Sequence, residues 1–122
     1  MKKTVWTIVG MLVLGAIVWG VYLAGRPGSL NAFATCIKDA EATFYGAFWC
    51  SHCQAEKARF GRSAKLLPYV ECSTPDGKGQ TQVCIDKNIT SYPTWEFADG
   101  SRIVGEAGLE KLAEKTACTL PE

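Results

Sequence analysis

The sequence predicts an α/β domain, a small mixed sheet flanked by helices, preceded by one N-terminal transmembrane helix. Three observations lead there. Thr4 to Ala24 is a run of 21 residues without a charge, long enough to cross the hydrocarbon core of a bilayer. Beyond it, short apolar runs alternate with helical patterns, the order that builds a sheet with crossover connections. Near the end, Asp99-Gly100 separates two strand-like runs as a hairpin turn does.

The apolar run comes first. At about 1.5 Å per residue it spans roughly 30 Å as a helix. Trp6 lies near one end and Trp19 and Tyr22 near the other, where interfacial aromatics sit. Lys2 and Lys3 precede it and only Arg26 follows closely, so the N-terminus is expected in the cytoplasm and the remainder outside. That gives a single-pass protein of the cytoplasmic (inner) membrane with its folded part on the extracytoplasmic, periplasmic side. A cleaved signal peptide is the competing reading. Its apolar core is normally about 7–15 residues, with small residues before the cut. This core is longer, and Tyr22 stands where a small residue is wanted. Ala16, Gly20 and Ala24 make a small-xxx-small face, a spacing that also arises by chance.

The expected organisation is an anchor over 1–25, a Pro- and Gly-containing linker over 26–30, and one domain over 31–122. Leu30 to Ala40 reads as an amphipathic helix with Leu30, Phe33, Ala34 and Ile37 on one face. Thr43 to Phe48 is a near-continuous apolar strand, the pattern of a sheet covered on both faces. Ser51 to Arg62 reads as a charged helix. Leu66 to Glu71 is a second strand starting after Pro68. Ser73 to Gln80, with Pro75, Asp76, Gly77 and Gly79, is a loop. Thr81 to Lys87 is a short helix stopped at Asn88. Thr94 to Phe97 and Arg102 to Val104 flank the hairpin turn, and Gly108 to Thr116 is a last helix with Leu109 and Leu112 facing in. The first two strands enclose a helix and should be parallel through a right-handed crossover.

Charge excludes one class of partner. With Lys2 and Lys3 set aside, 11 basic residues face 12 acidic ones, and no basic stripe marks a nucleic-acid surface. Cysteine supplies the chemistry. Six cysteines in 122 residues is a high count, and an even number outside the cytoplasm points to disulfides. Two of them form Cys50-Ser51-His52-Cys53 at a strand-to-helix junction. The first cysteine of such a pair sits at a helix N-terminus, where unpaired N–H groups and the helix dipole favour an anion. The thiolate is the reactive form. Cys50 is therefore the expected nucleophile and Cys53, one turn on, the resolving cysteine. A zinc site would recruit Cys50, Cys53, Cys72 and Cys84, but zinc usually takes two compact pairs and only one C-x-x-C is present. No metal and no bound cofactor is expected.

Taken together, W-C-x-x-C after the first strand and Tyr92-Pro93-Thr94 opening the third resemble the thioredoxin-fold oxidoreductases over roughly Thr43 to Thr116. More narrowly, F-Y-G-A-F-W-C-S-H-C-Q, L-P-Y-V-E-C and S-Y-P-T-W-E resemble the thioredoxin-like domain attached to bacterial and plant homologues of vitamin K epoxide reductase. The resemblance implies a redox-active cysteine pair and a cis Tyr92–Pro93 bond against it, 43 residues after Cys50. It implies pairing of the Pro93 segment with a bound substrate chain, and Trp49 as a partly exposed aromatic beside the site, with Tyr92 next to it; Trp95 reads as core. C-S-H-C resembles the strongly oxidising DsbA-type proteins, in which the histidine steadies the thiolate and so the reduced form. A solvent-exposed turn residue is the plain alternative for His52. Thioredoxins carry a buried aspartate where this chain has Phe44. Deprotonation of Cys53 then falls to water or to a neighbour such as Glu56, which otherwise reads as an exposed helix residue. The resembled domains carry an extra cysteine pair near Cys72 and Cys84, here read as structural. Cys36 and Cys118 are left to tie the two ends of the domain, although three pairings of these four remain open.

The expectation is a membrane-anchored thiol–disulfide oxidoreductase that oxidises substrate proteins through Cys50–Cys53. With one span in place of a multi-helix membrane domain, it is expected to be reoxidised by a separate quinone-linked vitamin K epoxide reductase-like membrane protein. A reductase or isomerase fed by a membrane electron donor is the first alternative. A non-catalytic thioredoxin-fold binding module is the second.

Overall fold

Two residues of the first strand divide the domain into its two sides. Phe44 and Tyr45 are consecutive, so they point to opposite faces of the sheet. Both are buried, Phe44 completely. The computed structural model describes residues 1–122, and it places five helices, α1 (Lys2–Ala24), α2 (Asn31–Asp39), α3 (Ser51–Phe60), α4 (Gln82–Asp86) and α5 (Leu109–Thr116), around four strands, β1 (Thr43–Gly46), β2 (Tyr69–Glu71), β3 (Thr94–Glu96) and β4 (Arg102–Val104). The strand order is β2-β1-β3-β4. β1 and β2 are parallel, with Phe44 opposite Tyr69. β3 runs antiparallel to β1, and β4 antiparallel to β3. This is the mixed α/β sheet that the alternation of patterns predicts.

The larger core lies on the Phe44 side. Phe33 and Ile37 from α2, Phe60 from α3, Leu112 from α5 and Trp95 from β3 pack there, all essentially inaccessible. Phe44 stacks on Trp95 with centroids 4.7 Å apart, and Phe33 on Phe60 at 5.9 Å. Side chains of this size contribute about 1.5–3 kcal/mol each when fully buried, so the face of α3 that carries Cys53 and Phe60 is held firmly. A smaller cluster of Tyr45, Cys72, Cys84 and Ile89 covers the other side. Two disulfides close the architecture. Cys36, in α2, joins Cys118, just past α5, and Cys72 joins Cys84 across the Gly/Pro loop.

Several boundaries differ from expectation, each for a local reason. β1 stops at Gly46, not Phe48, because the chain turns into the cysteine motif. α3 ends at Phe60 because Gly61 takes φ +52°, and a 3₁₀ segment, Gly61–Leu66, fills the stretch expected to continue as helix and then strand. β2 starts at Tyr69, just after Pro68. Asn88 adopts φ +54°, the left-handed conformation with which a short polar side chain ends a helix.

No residue of α1 is buried, and the helix contributes nothing to either core. It is long and apolar enough to cross a membrane, a test that a signal sequence near an N-terminus also passes. Its end is fastened to the domain. The Arg62 guanidinium donates to the carbonyls of Leu23 and Arg26. Ser63 Oγ accepts from the Leu30 amide at 3.1 Å. Gly28 lies so close that an added Cβ would sit 2.2 Å from that Oγ.

Candidate active site around Cys50 and Cys53

Four of the six cysteines are consumed by the two disulfides; Cys50 and Cys53 are the free pair. The Cys72–Cys84 bond also removes the second half of the zinc set considered above, and no group of three or more metal-ligating side chains gathers elsewhere.

Cys50 is the N-cap of α3. Its backbone is extended, and its Sγ accepts the Cys53 amide N–H at 3.2 Å. The sulfur thus takes the place a cap oxygen usually fills, at the end of the helix that favours negative charge. Cys53 sits one turn on and is completely buried, while Cys50 keeps 6% of its surface exposed. Burial, and after it the hydrogen bond to Cys50, pushes the Cys53 thiol up to about 12. Near neutral pH Cys53 therefore holds its proton.

The seat for that thiol is prepared in β1. A Cβ on Gly46 would lie 3.0 Å from Cys53 Sγ and 2.8 Å from the Tyr69 ring. Only a glycine leaves room for both neighbours. Tyr69 is itself fixed, since its hydroxyl donates to Glu71 at 2.9 Å and Lys57 Nζ lies 3.3 Å from its ring centroid. Burial first, and then the Glu71 carboxylate, keeps the Tyr69 phenol protonated to unusually high pH. Glu71 also accepts the amides of Phe48 and Ser73, which pins the turn leading into Cys50.

A cleft of about 470 Å³ opens beside Cys50, between Trp49–His52 and the Thr90–Tyr92 segment ahead of β3. The Tyr92–Pro93 bond is cis, and Pro93 is buried. Trp49 is 55% exposed. It is steadied by its indole N–H donating to Ser73 Oγ at 2.9 Å and by an edge contact with Tyr92, centroids 5.9 Å apart. The Tyr92 hydroxyl accepts from Gln80 at 2.7 Å. Trp49, Cys50, His52 and Tyr92 thus line one opening. Trp95 lies in the core, also as expected.

Two carboxylates differ from the sequence reading or are absent from it. Glu56 is not an exposed helix residue: it is fully buried. Its Oε1 accepts the Trp95 indole N–H and the amides of Ala107 and Gly108, each at 3.1 Å, and Arg59 Nε lies 3.4 Å from its Oε2. Every one of its partners is structural. A helical pattern could have flagged it, because Cys53, Glu56 and Phe60 share one face of α3. Glu106 carries no such signal. It accepts from His52 Nδ1 at 2.8 Å and from Arg59 at 2.6 Å, and those two bonds, His52's first, hold its carboxyl below the ordinary range. The hydrogen-bond partner of the His52 ring is this glutamate, not Cys50.

The parallel-then-hairpin sheet, the free C-x-x-C at the head of α3 and the cis-proline just ahead of β3 define a class: the chain has a thioredoxin-like fold and is similar in sequence to thiol–disulfide oxidoreductases. No protein-family model matches it. Among curated proteins it is similar to the thiol-disulfide oxidoreductase LTO1 of Arabidopsis thaliana, 45% identical over 96 residues, which is 75% of this chain and 25% of that protein. It is also similar to protein disulfide-isomerase A2 of Pongo abelii, 32% identical over 76% of this chain and 16% of the relative. A thioredoxin domain-containing protein 5 homolog of Drosophila melanogaster is 33% identical over 61% of this chain and 19% of its own length. The chain thus spans a quarter or less of the length of these relatives.

Proposed function

We propose that this chain is a membrane-anchored thiol–disulfide oxidoreductase that oxidises substrate proteins through Cys50–Cys53. The observation that carries the reading is the state of the six cysteines: four are locked in two disulfides, and the remaining two lie together at a helix N-terminus beside an open cleft. In the oxidised enzyme a substrate thiolate attacks Cys50 Sγ. The Cys50–Cys53 bond breaks, a substrate–Cys50 disulfide forms, and Cys53 leaves as a thiolate that takes up a proton in its buried seat. A second substrate thiolate attacks the substrate sulfur and releases Cys50. Two electrons pass from substrate to the pair, with no bound cofactor. A quinone-linked vitamin K epoxide reductase-like membrane protein then accepts them through its own disulfide, returning Cys50–Cys53 to the oxidised form. Trp49 and Tyr92 contact the substrate chain, and the Pro93 segment aligns it.

In this reading α1 is a retained single-pass anchor of the inner membrane, with residues 26–30 as linker and 31–122 as the periplasmic domain. Support comes from the exposed apolar length of α1 and from two structural disulfides, which persist in an oxidising compartment. The reduction potential tests the direction of flow. A value near about −120 mV fits an oxidase; one near about −270 mV would reverse the assignment to a reductase. A Cys53→Ala variant should accumulate mixed disulfides through Cys50 in cells. If it traps no protein, the catalytic reading gives way to a binding module.

A further inference from the structure

We infer that Glu106 is a positioning residue for the cysteine pair, acting through His52; the inference rests on the redox reading above. Nothing in its own segment links Glu106 to Cys50. Three structural observations do. His52, the only histidine in the chain, lies in the first turn of α3 between the two cysteines and lines the same cleft as Cys50. Its Nδ1 is 2.8 Å from Glu106 Oε1. The segment that presents Glu106 is itself anchored from beneath, because the buried Glu56 accepts the amides of the next two residues, Ala107 and Gly108. Arg59 joins the two carboxylates, at 2.6 Å from Glu106 and 3.4 Å from Glu56.

The chemistry follows from the donor–acceptor roles. A carboxylate only accepts, so the His52 proton lies on Nδ1 and Nε2 is left free. That fixes the ring's tautomer and its orientation at the cleft rim. Arg59, paired with both carboxylates, holds Glu106 in its place beside the ring. A histidine held at that rim interacts with the sulfur that reduction exposes at Cys50, and an interaction made only in the reduced pair makes the disulfide a stronger oxidant. Glu106 thus strengthens oxidation without touching either sulfur.

The test is a double-mutant cycle read by the equilibrium of the full-length protein with reduced and oxidised glutathione. Glu106→Gln should move that equilibrium about twofold to fivefold towards the protein disulfide, the size expected for an exposed charge pair. In a His52→Ala background the same substitution should leave the equilibrium where it was. No shift in the native background, an equal shift in both, or a shift towards the dithiol would each overturn the inference. Failure of the underlying reading is separable: there, the native protein itself would exchange no disulfide with glutathione, whatever stands at position 106. Glu106→Ala serves as the second variant and should behave as Glu106→Gln does, since the side chain lies at the surface and supports no core contact.

Discussion

Cys53 sets how the pair handles protons. Its thiol is buried and pushed up to about 12 from an ordinary 9.0, so the folded state binds that proton more tightly than the unfolded chain. The sign of the pH dependence follows. Below the ordinary value both states hold the proton and the preference is fully present. Between 9.0 and about 12 the unfolded thiol ionises while the folded one does not, and stability of the reduced protein falls as pH rises. Tyr69, raised for the same reason, adds to the fall. A Cys53→Ala variant should lose part of this alkaline sensitivity, measured as the urea midpoint of the reduced protein against pH; an unchanged slope would show that Cys53 is not the buried acid. At this scale the sequence was readable where a motif spoke. Pattern and resemblance point to Cys50, Cys53, Trp49, Tyr92 and Pro93, and the structure lines one cleft with Trp49, Cys50 and Tyr92. Gly46, Glu71 and Glu106 were not, because their roles depend on what lies opposite them across the fold, and spacing along the chain carries no trace of that.

Among the elements, α3 matters most, and its position depends on one polar group. Glu56 ties α3 to Trp95 in β3 and to the start of α5, satisfying three N–H donors. Glu56→Ala leaves those three buried donors without their acceptor, while Arg59 keeps Glu106, and should cost about 3 kcal/mol or more in urea unfolding. Glu56→Gln keeps an oxygen in place and should cost less than half as much. A neutral Glu56→Ala would mean that the apolar packing of Cys53 and Phe60 fixes α3 alone. The elements themselves were largely legible, since each carries its own periodicity and most ends carry a breaker. What was missed was the 3₁₀ segment Gly61–Leu66. Gly61, Ser63 and Leu67 have no helical or strand period. Their conformation answers to packing against α2 and to the linker contact at Ser63, both of which are tertiary.

On the scale of the molecule, the two structural disulfides differ in reach. Cys36–Cys118 closes a separation of 82 residues and Cys72–Cys84 one of 12. In the chain-entropy model these loops correspond to roughly 4.5 and 3 kcal/mol. Replacing both Cys36 and Cys118 by alanine should therefore lower the thermal midpoint more than replacing Cys72 and Cys84; the reverse order would place the constraint in the loop beside the active site. The pairing illustrates the limit of the sequence as well. Cys72 and Cys84 lie close along the chain and bracket a turn-rich loop. Cys36 and Cys118 could be joined only by elimination until α2 and α5 were seen side by side.

The longer bridge has one more consequence. From Cys36 to Cys118 the backbone is a closed circuit, and Cys72–Cys84 makes a small circuit within it. A single break in the peptide backbone inside the outer circuit, at an exposed tip such as Asp99-Gly100, frees neither end, and the nicked protein stays one covalent piece until a reductant opens the ring. A secreted protease that clips the domain once would leave the cleft and its thiols in place. The same circuit ties the damage to redox state. Only under conditions reducing enough to open the Cys36–Cys118 disulfide would a clipped copy come apart.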